Sequence, residues 1–124
     1  MRYLLVILLI ALSGCASARP WTKGEKAVLG WSIIACGADM FTTCKFLNNP
    51  DNYEMNPAMG KHPSKGKIVI SASLSHLICV GISHWVPEIT LPIIGKVNMR
   101  YSFLGGKAGF NTYLAINNAQ LDWD

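Results

Sequence analysis

Few residues of this chain are equipped for chemistry, and their spacing decides what they could do. Asp39 stands alone in a long apolar stretch, and His76 stands in a second one. If the two stretches are helices folded back on each other, Asp39 lies about seven residues before the end of the first. The matching level on the second is near Ser73, with His76 one turn deeper. A carboxylate in an apolar helix costs about 2.5–3.5 kcal/mol at a bilayer centre, so it acquires a partner. An Asp39–His76 or Asp39–Ser73 hydrogen bond is therefore expected, as a polar clasp between two helices. The sharper alternative is a proton relay or intramembrane enzyme using Asp39 and His76. A Ser-His hydrolase lacks parts: Ser75-His76 and Ser83-His84 are adjacent pairs, and adjacent residues on a helix do not face each other. There is no nucleophile elbow or oxyanion glycine motif. Of His62, His76, His84 and Cys79, only His76 and Cys79 fall at i, i+3, and no CxxC occurs, so no metal, cofactor or enzymatic activity is expected.

The elements that would carry these residues are helical. Residues 27–46 read as a first helix, in which Ser32, Ala35, Cys36, Asp39 and Thr43 share one face. Leu29, Ile33, Ile34, Met40 and Phe41 fall mainly on the others. Such a pattern suits a helix with its bulky side toward lipid and its small side toward a partner helix. It also fits an amphipathic helix in water. Residues 68–86 read as a second helix, capped by Ser64, with no Asp, Glu, Lys or Arg and a matching stripe of Ala72, His76, Cys79 and Ser83. Its nineteen residues approach the length needed to cross hydrocarbon, and Trp85 with Pro87-Glu88 marks its end. Between the two lies a loop with strong turn signals at Asn49-Pro50-Asp51-Asn52 and Asn56-Pro57. Residues 93–118 predict a third, more polar helix, in which Gly105 and Gly109 form a GxxxG, while Gly105-Gly106 could equally break it. The expected class is all-α: an apolar helical hairpin (27–46 and 68–86) with a third helix on it.

Composition agrees. The 124 residues are 51% hydrophobic and only 15% charged, against roughly 25% charged in soluble domains. The formal charge of +4 comes from scattered basic residues, densest at Lys61, Lys65 and Lys67. Nucleic-acid binding is not expected, because the chain begins like an exported one. Arg2 supplies a positive n-region and residues 3–11 an apolar h-region too short to be a span. The Leu12-Ser13-Gly14-Cys15 that follows resembles the lipobox of bacterial lipoproteins. The resemblance implies thioether lipidation of Cys15, cleavage before it and acylation of the new amino terminus. The alternative is an uncleaved signal anchor with an incidental cysteine. The expected organisation is a signal peptide (1–14), a lipidated tether (15–26) and a small helical domain (27–124). Cys36, Cys44 and Cys79 then remain, and small unpaired cysteines at helix contacts are expected of them.

If both apolar helices span, the Lys-rich 47–67 loop falls on the cytoplasmic side of the inner membrane, as the positive-inside rule prefers. Ala16, following the lipobox cysteine, pulls the other way: in enterobacterial-type lipoproteins a residue other than Asp there implies transfer to the outer membrane. The inner membrane is slightly preferred here. A second resemblance covers about 27–86. Ala38-Asp39, Thr42-Thr43 and the run from Tyr53 through Glu54, Asn56, Pro57, Gly60 and Lys61 to Ser64 look like a group of small, uncharacterised bacterial and phage-borne membrane proteins with an E-x-N-P-x-x-G loop. It implies no activity. Glu54, Asn56 and Lys61 are expected either to shape this loop or to dock an envelope protein or lipid headgroups. Taken together, the sequence predicts an envelope protein held to membrane lipid through acylated Cys15 and acting by interaction. The alternative is a periplasmic lipoprotein at the outer membrane, of phage origin, modulating an envelope process.

Overall fold

In the computed structural model, residues 19–121 apart from Met55 and Pro57 are described. The expected signal peptide (1–14), Cys15 and the first residues of the expected tether lie outside them, as does Pro57 of the loop. The first helix, α1, is Lys23–Phe46. It begins four residues earlier than the apolar run does, because Thr22 and Glu25 form a reciprocal capping box that satisfies orphan amides of the first turn. Part of the expected tether is therefore helix. The second helix, α2, is Lys65–Trp85, and the hydroxyl of its N-cap Ser64 accepts from the Lys67 amide. In the connecting loop Gly60 takes φ 80°, which favours glycine at that position.

The expected third helix needs correction at its start. Residues 88–98 form a β-hairpin of β1 (Glu88–Leu91) and β2 (Gly95–Asn98), antiparallel, with Ile89 opposite Val97 and Thr90 opposite Lys96. The fold is mainly helical with one two-stranded sheet, not purely α. The local reasons are legible: Pro87 and Pro92 interrupt helix, Ile89, Thr90 and Val97 are β-branched, and Gly95 at φ 83° closes the turn. The chain then re-enters helix through a π-helical segment, Arg100–Gly105, continuous with α3, Gly106–Leu121.

The chain thus passes along the bundle three times. α1 and α3 run parallel and make the most extensive contact, with α2 antiparallel to both. One end of the bundle collects the starts of α1 and the π segment and the end of α2. The other collects Phe46, the 47–64 loop and Leu121.

Packing is inverted relative to a water-soluble bundle. The interior is mostly small or polar: Ser32, Ala35 and Cys36 on α1, His76 and Ser83 on α2, and Ala108, Asn111 and Ala115 on α3 are buried, with Ile68 of α2 and Leu104 of the π-helical segment as the large apolar exceptions. The exterior is bulky and apolar, with Ile34, Phe41, Ile70 and Leu77 exposed at 72%, 70%, 69% and 65%. α1 and α2 are long and apolar enough to cross a membrane by length and composition, and only 17% of each candidate span is buried inside the protein. The GxxxG plays no close-packing role, because a side chain on Gly109 would meet nothing within 4 Å. Ala108, fully buried, occupies that place instead. Ala108→Leu overfills this contact and should lower stability in detergent by about 1–3 kcal/mol. Ile34→Ala, on the exposed side, should leave the thermal midpoint nearly unchanged.

Candidate functional site: a buried ion-pair node and an acid-lined cavity

The first concentration of polar groups sits at the end of the bundle where α1 begins. Glu25 is fully buried, and its carboxylate accepts from Arg19 Nη2 at 2.6 Å and Nη1 at 3.1 Å, from Asn98 Nδ2 at 2.8 Å, from the Thr22 amide at 2.9 Å and from Arg100 Nη1 at 3.1 Å. Arg100, equally buried, also donates to the carbonyl oxygens of Ser83 (3.1 Å), Pro20 (3.2 Å) and Arg19 (2.8 Å). Its guanidinium lies 4.3 Å from the centre of the Trp21 ring. Trp21 Nε1 donates to His84 Nδ1 at 3.2 Å. Burial alone would push the Glu25 carboxyl up; the hydrogen bonds from Arg19, Asn98, Thr22 and Arg100 outweigh it and hold the group well below the usual carboxylate range. Glu25 precedes the apolar run that starts at Ala27, so the node lies at the edge of the would-be span. The Glu25 carboxylate and the Arg100 guanidinium are filled by one another and by their neighbours, and of the node's buried side-chain polar atoms only Arg19 Nε is left without a partner among the described residues, which makes the node a clamp and not a reactive centre.

Sequence reasoning passed over this node. Its signals were the Thr22-x-x-Glu25 capping box and an arginine placed among Met99, Tyr101, Phe103 and Leu104. The first is a known helix-start pattern; the second has meaning only once Glu25 is known to be buried.

The second concentration holds the residues that the sequence singled out. Asp39 borders a cavity of about 340 Å³ at the far end of the bundle, together with Thr43 and Phe46 of α1, residues 51–54 of the loop, and Leu114, Asn117, Asn118 and Leu121 of α3. The Thr43 hydroxyl donates to Asp39 Oδ1 at 3.4 Å and accepts from Asn118 Nδ2 at 3.0 Å. The expected Asp39–His76 or Asp39–Ser73 bond is not what the structure forms. Asp39 faces the cavity between α1, α3 and the loop, whereas the expectation assumed that α1 and α2 pair along their whole length. Both ring nitrogens of His76 lack a hydrogen-bond partner among the described residues, although the ring is buried. α2 instead meets α1 through Cys36, whose Sγ donates weakly to the Ala72 carbonyl at 3.9 Å. It meets α3 through Lys107 Nζ on Ser75 Oγ at 3.1 Å.

Of the loop residues, Glu54 also lines the cavity and its carboxylate accepts from the Asn56 amide at 2.9 Å. Asn56 Oδ1 accepts from the Ala58 amide at 3.1 Å, and the Lys61 carbonyl accepts from the Glu54 amide at 2.8 Å. These bonds shape the loop, and the Lys61 side chain is left exposed. Cys36, Cys44 and Cys79 are unpaired. Among the described residues no group of three or more His, Cys, Asp or Glu is placed to hold a metal ion. Comparisons with protein-family models, with curated proteins and with solved structures return no match.

Two outcomes test the node. In a double-mutant cycle, Glu25→Gln and Arg100→Ala should each cost about 3–5 kcal/mol, because each strands a buried charge, with a large coupling between them; Asp39→Asn and His76→Ala should be additive within about 0.5 kcal/mol. The pH profile follows from the depressed Glu25 carboxyl. Its contribution is complete above the unfolded carboxylate pKa of about 4.3 and is lost as pH falls through the lower folded value. The melting temperature of the wild type should therefore drop on acidification below about pH 4 by more than that of Glu25→Gln.

Proposed function

We propose that this chain is a lipid-anchored membrane protein of the bacterial envelope that acts by interaction and not by catalysis, with α1 and α2 crossing the bilayer. The observation that carries it is the inverted packing: bulky apolar side chains outside, small and polar ones within. In water this exterior would be unfavourable by about 25 cal/mol per Å² of apolar surface; in hydrocarbon it is the side that should face the solvent.

A second observation supports the anchor. Arg19 is held at the node through its guanidinium and its carbonyl oxygen, and it follows Cys15 by four residues. A chain of four residues spans at most about 14 Å, so acyl chains on Cys15 would keep the node at a bilayer surface. Lys61, Lys65 and Lys67 then fall at the opposite, cytoplasmic end. At that end the Glu54–Lys61 loop beside the Asp39 cavity is the surface offered to a protein partner. The reading of a periplasmic domain held at the outer membrane leaves the apolar exterior in water, and nothing in the geometry favours it.

Membrane fractionation of Cys15→Ala tests the proposal. The variant should remain in the pellet after carbonate washing while its mass loses the lipid; release into the supernatant would mean that the helices do not span.

A further inference from the structure

The β-hairpin is the part of the molecule that neither the bundle nor the proposed loop contact explains. A two-stranded hairpin is marginal by itself, and this one is fastened at its base: Asn98 Nδ2 on Glu25 at 2.8 Å, Glu88 with Arg19 at 3.2 Å, and the Met99 amide on the Pro87 carbonyl at 2.9 Å. It therefore leaves the bundle at the end where the chain runs back to Cys15. Its register makes it amphipathic. Ile89, Leu91 and Val97 project to one face, Thr90 and Lys96 to the other. Its turn presents Ile93 and Ile94 at 96% and 73% exposure, the first of them almost wholly uncovered. Trp85, 56% exposed, stands just before it at the end of α2.

We propose that the 88–98 hairpin is a second membrane contact, lying in the headgroup boundary of the same leaflet that takes the acyl chains of Cys15. It rests on the membrane reading above. Ile93 and Ile94 enter the acyl region, and Lys96 on the polar face stays among anionic headgroups. A bilayer surface is the occupant that fits for three reasons. The anchored residue is four positions from Arg19, which itself pairs with the hairpin's Glu88, so the leaflet is close to the hairpin's base. The apolar and polar sides are opposed, as a boundary between oil and water requires. The exposed tryptophan at the same end is a residue type enriched at that depth.

The test uses the lipidated chain with Cys36→Ser, Cys44→Ser and Cys79→Ser, carrying either Ile94→Cys or Leu77→Cys labelled with an environment-sensitive fluorophore. The protein is reconstituted in phosphatidylethanolamine–phosphatidylglycerol vesicles, and an unchanged melting temperature shows that the fold is kept. Both labels should be quenched several-fold more by a nitroxide borne on lipid chains than by aqueous iodide. Iodide quenching at Ile94 with lipid quenching at Leu77 overturns the hairpin contact and leaves the spanning bundle intact. Iodide quenching at both sites overturns the two together. Lipid quenching at Ile94 alone keeps the hairpin contact and removes the spans. Protection of Ile94 from both quenchers, with energy transfer between labelled copies, overturns the lipid contact in favour of a second copy of the chain.

Discussion

The molecule depends on two buried charges at one end of it. Glu25 and Arg100 are both removed from water, which costs several kcal/mol per ion unless each hydrogen-bonding position is filled. Both are filled by different parts of the chain. The carboxylate gathers Arg19 of the tether, the first turn of α1 and Asn98 of β2, while the guanidinium gathers the tether carbonyls and the end of α2. The tether, the start of α1, β2 and the end of α2 are thereby tied at one point. Arginine is required for this, because its fixed fork can serve several acceptors at once and its face can still stack on Trp21. The geometry also fixes register: with Arg100 beside Glu25, the third helix must run parallel to α1, and Asn118 arrives opposite Thr43 at the far end.

Away from the node, cohesion comes from close approach of small residues and a few polar bridges. Ser32, Ala35 and Cys36 of α1 and Ala108 and Ala115 of α3 are buried, and small residues at helix contacts let backbones come near. Lys107 on Ser75, Cys36 on Ala72 and Asn118 on Thr43 are the bonds between helices. Such an interior gains little from the hydrophobic effect, which agrees with the proposal that α1 and α2 lie in hydrocarbon.

How far the sequence disclosed this follows from what each residue depends on. The small stripe of α1 was legible because helical period alone places Ser32, Ala35 and Cys36 together. The Ser64 cap was legible for the same local reason. The β-hairpin was missed because residues 93–98 read as the start of the third helix; Pro87, Pro92, the β-branched Ile89, Thr90 and Val97 and the turn at Gly95 are the local signals that favour strand. The Asp39 pairing was misdirected because a two-helix picture has no place for α3, and the cavity Asp39 borders is made with that helix and the loop. The node was invisible in principle to local reading: Glu25 and Arg100 are 75 positions apart and neither looks unusual alone.

The node also bears on the conflict between a lipobox followed by Ala16 and a pair of spanning helices. Lipoprotein transfer to another membrane requires the protein to leave the bilayer with its lipid. On the proposed reading the acyl chains and the bundle cannot part, because only three residues separate Cys15 from the clamped Arg19. Extraction would have to expose Ile33, Ile34, Phe41, Val69, Ile70, Leu74, Leu77 and Ile78 to water as well. At about 1.5–3 kcal/mol for each side chain fully transferred, and less for those only half uncovered, the opposing free energy is on the order of 10 kcal/mol. That rivals the hold of an acyl chain, at about 0.8 kcal/mol per CH₂. If Cys15 is lipidated and both helices span, as proposed, the short tether makes the two anchors a single unit, and the helices rather than the residue after the cysteine would decide the destination, favouring the membrane into which the chain is first inserted.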